Sequence, residues 1–204
     1  MPSAARQEIF QSNPTEGSLR RANGERVAAF SNQFVQTLHV SLLEQFAENA
    51  QDVLYRCGYE WGLLASVRLQ RELLAQLGPQ TDLWKLEPKY VLETWWAPLA
   101  ETGWGRCGFD VPSAQGVVVA ELHESAVVSA LGGSDQPVCH LYAGLLAAAL
   151  SFVARAERHA VELQCRALGA PSCQFVIAPG AQVDSAETWR QQGLPALEIV
   201  RRLR

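Results

Sequence analysis

Residues 139–175 read CHLYAGLLAAALSFVARAERHAVELQCRALGAPSCQF, and this stretch holds three of the five cysteines in the chain. Together with one glutamate, these cysteines form the pattern C-x22-E-x2-C-x7-C, whose four positions are Cys139, Glu162, Cys165 and Cys173. Thiolates and a carboxylate in a set of four suit a tetrahedral zinc ion, and four protein ligands leave no open position for water. The pattern is therefore compatible with a structural zinc site.

The same stretch is expected to contain one helix and two strands. Asp135 and Pro137 are typical of a helix start, and the apolar spacing that follows predicts a helix from residue 139 to about residue 154. Two strand-like runs, 160–165 and 173–177, flank a turn rich in glycine, alanine and proline. The four proposed ligands would then join the start of the helix to a β-hairpin.

Two observations leave alternatives to the zinc site open. In a flat strand, residues three apart face opposite sides, so Glu162 and Cys165 can share an ion only where the strand bends or bulges. A disulfide between Cys165 and Cys173 is the competing structural explanation, although five is an odd number of cysteines and nothing indicates an oxidising compartment. His140 and His159 lie beside the proposed ligands and could replace one of them.

Residues 95–178 resemble the 4-vinyl reductase domain, a small ligand-binding domain. The C-terminal half of that family has a cysteine opening a Gly/Ala-rich helix, then Glu-x-x-Cys, a glycine-containing turn and a final Cys-x-Phe. The matching residues in this chain are Cys139, Gly144, Glu162, Cys165, Gly169, Cys173 and Phe175. The ligand spacing is also similar to the zinc site in the sensor domains of phenol- and xylene-responsive bacterial transcription activators. The resemblance therefore implies zinc as a structural cofactor held by the four proposed ligands.

Composition predicts one cytoplasmic domain. The chain has 204 residues and 48% hydrophobic content, which is enough for one well-buried core and not obviously for two. A formal net charge of −4 argues against a general nucleic-acid binder, whose phosphate contacts need a basic patch. We find no apolar core of a signal peptide and no apolar run of the roughly 18 residues that a membrane span needs.

The N-terminal half is expected to be mainly helical. Residues 1–26 are polar and rich in breakers, which predicts a flexible arm. Helices are predicted over about 27–50 and 50–77, and the first carries an aromatic stripe that suits a core, a subunit interface or a ligand pocket. Gly58 and Gly62 in the second helix form G-x-x-x-G, which indicates close helix packing in a water-soluble chain.

Three tryptophans close together are the main candidates for ligand binding. Trp95, Trp96 and Trp104 each combine a large apolar face with one N–H donor, which suits recognition of aromatic or hydrocarbon ligands. Tyr142 could offer a hydroxyl group to the same pocket. Packing in the core is the competing interpretation, and it is favoured for at least one of Trp95 and Trp96.

The predicted fold is α+β, with an antiparallel sheet of about four strands packed against helices, an N-terminal helical pair and a zinc-stapled C-terminal hairpin. The first two sheet strands are expected over 105–111 and 115–123, joined by a turn at residues 112–114. The ligand-binding domain is expected to span 27–178, with a helical part at 27–94 and the motif-bearing part at 95–178. A helical tail follows at 179–204, where Asp184 and Glu187 read as a capping box.

Three functions fit these observations. The first is a zinc-containing domain that binds or senses an aromatic, hydrocarbon or tetrapyrrole-like ligand and acts through a separate partner protein. The second is an accessory or carrier protein of chlorophyll-type pigment synthesis, as the family name suggests. Direct reductase activity is not expected because no dinucleotide fingerprint is present. The third is a ligand-free adaptor similar to eukaryotic vesicle-tethering subunits, which would have an empty or filled-in pocket and a large exposed apolar face on its N-terminal helices. The resemblance to those subunits also predicts a homodimer.

Overall fold

The computed structural model describes residues 10–112 and 116–204, so the turn predicted at 112–114 lies largely outside the described residues. Seven strands and seven α-helices occur in this part of the chain. In chain order they are β1 (Phe10–Asn13), β2 (Ser18–Arg21), β3 (Arg26–Val27), α1 (Asn32–Phe46), α2 (Ala50–Leu77), α3 (Pro88–Glu101), β4 (Arg106–Asp110), β5 (Val118–His123), α4 (Ala126–Leu131), α5 (His140–Ala154), β6 (His159–Gln164), β7 (Cys173–Ala178), α6 (Gly180–Gln191) and α7 (Ala196–Leu203).

A four-stranded antiparallel sheet forms the centre of the fold, with the strand order β4-β5-β7-β6. Its inner face packs against α3 and α5, and its outer face packs against α6 and α7. Because both faces are covered, the central strands are buried almost throughout, as Val118, Val119 and Ala120 of β5 illustrate. This architecture confirms the predicted α+β class and the predicted four strands.

Helices α2 and α5 pack with their backbones in close contact because glycines on each helix lie against the other helix. A Cβ atom added to Gly58 would collide with the carbonyl group of Leu141, and one added to Gly144 would collide with the carbonyl group of Tyr55. Gly62 lies against Ala148 in the same interface. The close packing predicted from the G-x-x-x-G pattern is therefore present, and it fixes the position of α5, at whose start Cys139 lies.

The N-terminal segment differs from the flexible arm that its composition predicts. Its described part forms a three-stranded antiparallel sheet, β1-β2-β3, whose turns contain Gly17 and Gly24 with positive φ. Arg21 pairs with Glu101, and Arg68 on α2 donates to Glu25 at 2.6 Å. Glycines in a polar segment indicate a loose chain when they are considered alone, whereas here they close two hairpins.

The C-terminal tail is helical, as predicted, but its first helix begins earlier than the proposed capping box. Helix α6 starts at Gly180 directly after Pro179, and Asp184 lies inside it. Glu187 accepts two hydrogen bonds from Arg190 instead of capping the helix. Proline is favoured around the first turn of a helix because its φ is already fixed near the helical value.

Candidate functional site

A β-bulge brings the predicted metal ligands of the hairpin onto one side of the sheet. Glu162 pairs with Phe175, but the next registered pair is Gln164 with Gln174, so β6 contains one extra residue at this point. Continuing the register places Cys165 opposite Cys173. Side chains of a regular strand alternate between the two faces of the sheet. The extra residue shifts this alternation by one position, so Glu162 and Cys165 face the same side. The bulge that the ligand spacing requires is therefore present.

The four predicted ligands form one buried cluster. One ligand atom from each of Cys139, Glu162, Cys165 and Cys173 can be chosen so that all four lie within 4.8 Å of one another. The cysteines are fully buried and Glu162 is 4% exposed. Cys139 caps the N-terminus of α5, whereas the other three lie on the β6–β7 hairpin, so a shared ion would join the helix to the sheet.

The carboxylate of Glu162 has one oxygen without a partner. Its Oε2 atom accepts a hydrogen bond of 3.1 Å from the backbone N–H of Cys139. Its Oε1 atom is buried and has no hydrogen-bond partner among the described residues. Burial raises the pKa of this carboxyl group from 4.5 to about 8. A buried carboxylate in this position is costly unless it has a further partner, such as a cation.

The three thiols contact one another without forming a disulfide. The Sγ atoms of Cys139 and Cys173 are 3.6 Å apart, and those of Cys173 and Cys165 are 4.0 Å apart. A disulfide requires about 2.05 Å, so the competing Cys165–Cys173 bridge is not formed. Hydrogen bonds from Cys139 and Cys173 lower the pKa of the Cys165 thiol, and the hydrogen bond with Cys165 raises the pKa of Cys139. The cluster thus favours a thiolate at Cys165.

Backbone and side-chain groups surround this sulfur cluster. The backbone N–H of Arg166 donates to Cys173 Sγ at 3.4 Å, and Ser125 Oγ lies 3.7 Å from Cys139 Sγ. N–H and O–H groups at these distances stabilise thiolates, as outer-shell partners do in metal sites. The residues therefore fit a metal ion that prefers soft ligands, and zinc is the usual choice for three thiolates and a carboxylate.

Neither neighbouring histidine replaces a ligand. The ring Nε2 atom of His140 is 3.0 Å from the carbonyl oxygen of Pro137, and that of His159 is 3.6 Å from a carboxylate oxygen of Glu157. Both rings lie outside the cluster of four ligand atoms.

An apolar cavity of about 340 Å³ lies beneath α1. Aromatic and aliphatic side chains from α1, α2, α4 and α5 form its wall, together with Trp104 in the loop after α3. The stacked rings of Phe30 and Phe34, whose centroids are 4.8 Å apart, stand on its α1 side. His39 is the polar residue in the wall. A concave, mainly apolar site with few polar groups is typical of small-molecule binding.

A second cavity, of about 320 Å³, adjoins the first at Phe30 and Trp104. It is charged where the first is apolar, because Arg21, Glu25 and Arg68 line it. Glu25 accepts from Arg68 at 2.6 Å, and its Oε2 atom is 3.6 Å from Arg21. These ion pairs connect the N-terminal sheet to α2.

The four aromatic residues proposed for ligand binding separate into two groups. Trp104 lines both cavities. Trp95 and Trp96 are 2% exposed and lie in the core, where their N–H groups donate to Ser66 at 3.0 Å and to the carbonyl of Gly105 at 2.9 Å. Tyr142 is also in the core. Adjacent positions on α3 can both be buried because the helix lies between α2 on one side and the sheet on the other.

Sequence reasoning missed several residues of the apolar cavity. Val127 on α4 and Val138 before α5 were not predicted to line a cavity. The sequence pattern around a buried valine is the same whether it lines a cavity or packs in the core. His39 was also missed, although a histidine on the apolar side of an amphipathic helix is a detectable signal.

The fold and the buried cluster define an α+β domain with a candidate metal centre that joins a helix to a hairpin. Residues 118–179 match the family model of the 4-vinyl reductase domain, which confirms the resemblance drawn from the sequence. The match covers the last three sheet strands, α5 and all four clustered ligands.

Two solved structures are similar to this chain over much of its length. The phenol-responsive sensory domain of the transcription activator PoxR, crystallised with phenol, is 18% identical with a TM-score of 0.66, and the alignment covers 92% of each chain. A trafficking protein particle complex subunit 3 from Naegleria fowleri, covalently bound to palmitic acid, is 13% identical with a TM-score of 0.49, covering 72% of this chain and 93% of that one. At these identities the first likeness establishes a shared fold only. No curated protein matches the chain.

Proposed function

We propose that this protein is a zinc-containing sensing domain that binds a small aromatic or hydrocarbon ligand and signals through a separate partner protein. The observation that carries the proposal is the apolar cavity of about 340 Å³ beneath α1. The phenol-responsive sensory domain with the same fold supports the sensing role by analogy.

The size and lining of the cavity favour a small ligand. An apolar cavity of about 150 Å³ is enough to bind benzene. The cavity of about 340 Å³ therefore has room for a substituted ring or a short hydrocarbon, and a tetrapyrrole would need more space. Phe30, Phe34 and Trp104 offer aromatic surfaces, and His39 offers one polar contact.

The proposed role of zinc is structural. Four protein ligands would close the coordination sphere, so the metal would fix the start of α5 against the β6–β7 hairpin. No catalytic role is proposed for it, and we propose that the protein is not an enzyme.

The exposed side of α1 supports a homodimer. Val40, Leu43 and Phe46 are each 42–43% exposed, and they recur at i, i+3 and i+6 along one helix. Among Asp, Glu, Lys and Arg, α1 contains only Glu44. Two copies of this surface would therefore meet without strong charge repulsion. Since α1 also forms a wall of the apolar cavity, ligand binding and dimer packing would share one helix.

A ligand-free adaptor is the second candidate, and one specific observation favours it. The core is filled by Trp95, Trp96 and Tyr142, while Leu64 and Val67 of α2 are exposed together with the apolar residues of α1. The adaptor hypothesis predicts an exposed apolar face of this kind on the N-terminal helices. The carrier function in pigment synthesis has no comparable support, and the cytoplasmic location stays a prediction.

Native mass spectrometry of the purified protein, with elemental analysis of the same sample, tests the metal and the oligomeric state together. We expect one zinc ion per chain and a dimeric mass. A well-folded protein without metal would contradict the zinc assignment.

Calorimetric titration with phenol and toluene tests the ligand. Leu38→Trp places a large ring in the cavity wall and should weaken binding by about tenfold or more, since it removes the space that the ligand needs. Gln36→Trp puts the same ring on an exposed part of α1 outside the cavity and serves as the control. Absence of binding by the unmodified protein would favour the adaptor.

A further inference from the structure

The metal cluster is buried, yet one of its members reaches a solvent cavity. Glu162 lines a cavity of about 160 Å³ between α2, α5, β6 and α6. The three cysteines do not line this cavity. Of the four clustered residues, Glu162 is therefore the one that borders this cavity, although its Oε1 atom is itself buried.

The wall of the same cavity carries further groups that interact with cations. Asp52 on α2 and Glu187 on α6 contribute carboxylates, and His140 contributes an imidazole one residue after Cys139. The guanidinium group of Arg190 is already paired with Glu187, to which it donates two hydrogen bonds of 2.9 and 2.6 Å. Asp52, Glu187 and Arg190 together carry a net negative charge, which attracts cations into a concave site.

The bonding of Glu162 suits a residue that exchanges its partners. One oxygen is anchored by the N–H of Cys139, and the other is buried without a hydrogen-bond partner among the described residues. Carboxylate oxygen is also a harder ligand than thiolate sulfur, so its bond to a borderline-soft ion is the one in the set most readily replaced.

We propose that this cavity is the route by which the metal ion enters and leaves the cluster, with Glu162 as its inner end. The cavity would admit the ion, the carboxylate of Asp52 would raise its local concentration, and Glu162 would pass it to the three thiolates. The site is therefore structural but exchangeable, and its metal content responds to the available zinc. This inference rests on the proposed zinc site. It concerns the rates at which zinc binds and leaves, whereas the proposed function concerns whether zinc is bound at equilibrium.

Stopped-flow measurement of zinc uptake by the metal-free protein, and of zinc transfer to a coloured chelator, tests the route. Gln51→Trp narrows the cavity from its α2 side. We expect both rates to fall by about tenfold while the equilibrium Kd stays within about twofold, because a narrowed passage changes a barrier and leaves both end states intact. Arg56→Trp adds the same ring to an exposed position of α2 outside the cavity and should leave both rates unchanged. Equal rates in the two variants would overturn the proposal.

A surface-charge variant provides an independent test if Gln51→Trp fails to fold. Asp52→Asn should slow zinc uptake by about threefold at low salt, and the difference should shrink at about 0.5 M salt. Glu60→Gln removes one exposed charge from the same helix away from the cavity. If both substitutions slow zinc uptake equally, the effect comes from the net charge of the whole protein, and this route is excluded. If the unmodified protein binds no zinc at equilibrium, the proposed metal site itself has failed, which is a separate result.

Discussion

The Tyr142 hydroxyl group donates a hydrogen bond of 2.6 Å to the carbonyl oxygen of Trp104 and accepts one of 3.1 Å from the N–H of Ala126. It thereby links α5 to the loop after α3 and to the start of α4. All three segments contribute to the apolar cavity, through Trp104, Val127 of α4 and Leu141 of α5. A residue proposed as a ligand contact is instead a support for the cavity wall.

Tyr142→Phe should lower the free energy of unfolding by about 1–3 kcal/mol, because it leaves the part-buried N–H of Ala126 and the part-buried carbonyl of Trp104 without their partner. Urea denaturation followed by circular dichroism measures this change. Tyr90→Phe is the matched control, since Tyr90 is 44% exposed on α3, and it should change stability by less than about 0.5 kcal/mol. Equal effects of the two substitutions would contradict the supporting role.

Removal of zinc should destabilise the fold. Metal that binds the native state alone stabilises it by about 4 kcal/mol when free zinc is a thousandfold above Kd. We therefore expect a chelator to lower Tm markedly and Cys173→Ser to lose the metal. Cys57→Ser alters an exposed thiol outside the cluster and should retain one zinc per chain. A chelator that leaves Tm unchanged would argue against a structural metal.

Acid should destabilise the contact of α1 with the rest of the domain through His39. Burial, followed by the nearby His140, lowers the pKa of His39 below 6.5. A lowered histidine pKa means that the unfolded chain takes up protons first, so this contribution to stability is complete above pH 6.5 and declines as the pH falls below it. His39→Gln should flatten the pH dependence of Tm in this window.

The control for that pH experiment is His123→Gln, which changes a partly exposed histidine at the end of β5. Its profile should follow that of the unmodified protein. A steep decline that persists in His39→Gln would place the acid-sensitive group elsewhere.

The glycines between α2 and α5 should not tolerate even alanine. Gly58→Ala would force the helices apart, and we expect a loss of about 3 kcal/mol or failure to fold. Gly108 in β4 has open space at its Cβ position and no positive φ, so Gly108→Ala should be neutral or slightly stabilising. Thermal denaturation compares the two variants directly, and similar Tm values would contradict the close packing.

The proposed dimer should depend on the outer side of α1. Leu43→Glu places a charge in the centre of that surface and should shift the mass measured by light scattering from dimer to monomer at micromolar concentration. Glu44→Gln removes a charge at the next position without adding repulsion or bulk, and it should stay dimeric. A monomeric unmodified protein would exclude the dimer.

The sequence predicted the strand–helix order of the C-terminal half well because its signals are local. The spacing of Cys139, Glu162, Cys165 and Cys173 identified four residues that the structure brings together. The G-x-x-x-G pattern of Gly58 and Gly62 likewise indicated the close packing of α2 that the structure shows. These signals depend on neighbours along the chain, which a sequence displays directly.

The cavity could not be predicted in the same way because it depends on how α1 is placed. Phe34 and Leu38 are spaced as in any amphipathic helix, and spacing does not distinguish a wall of a cavity from a core. Trp95 and Trp96 illustrate the converse, since their residue type suggested a ligand site and their surroundings make them core. The strands at the N-terminus were hidden because four-residue strands with polar side chains lack a clear alternation.

The extra residue in β6 also determines which sequence motif can encode this cluster of four candidate ligands. On a regular strand, two residues that face the same side have an odd number of residues between them, so Glu-x-Cys or Glu-x3-Cys would be needed. The bulge after Glu162 changes this parity, and Glu-x2-Cys becomes the spacing that reaches Cys165. Loss of the extra residue would leave Glu-x-Cys on a regular strand, which again places the two ligands on one side, so the bulge and the spacing of the motif must change together.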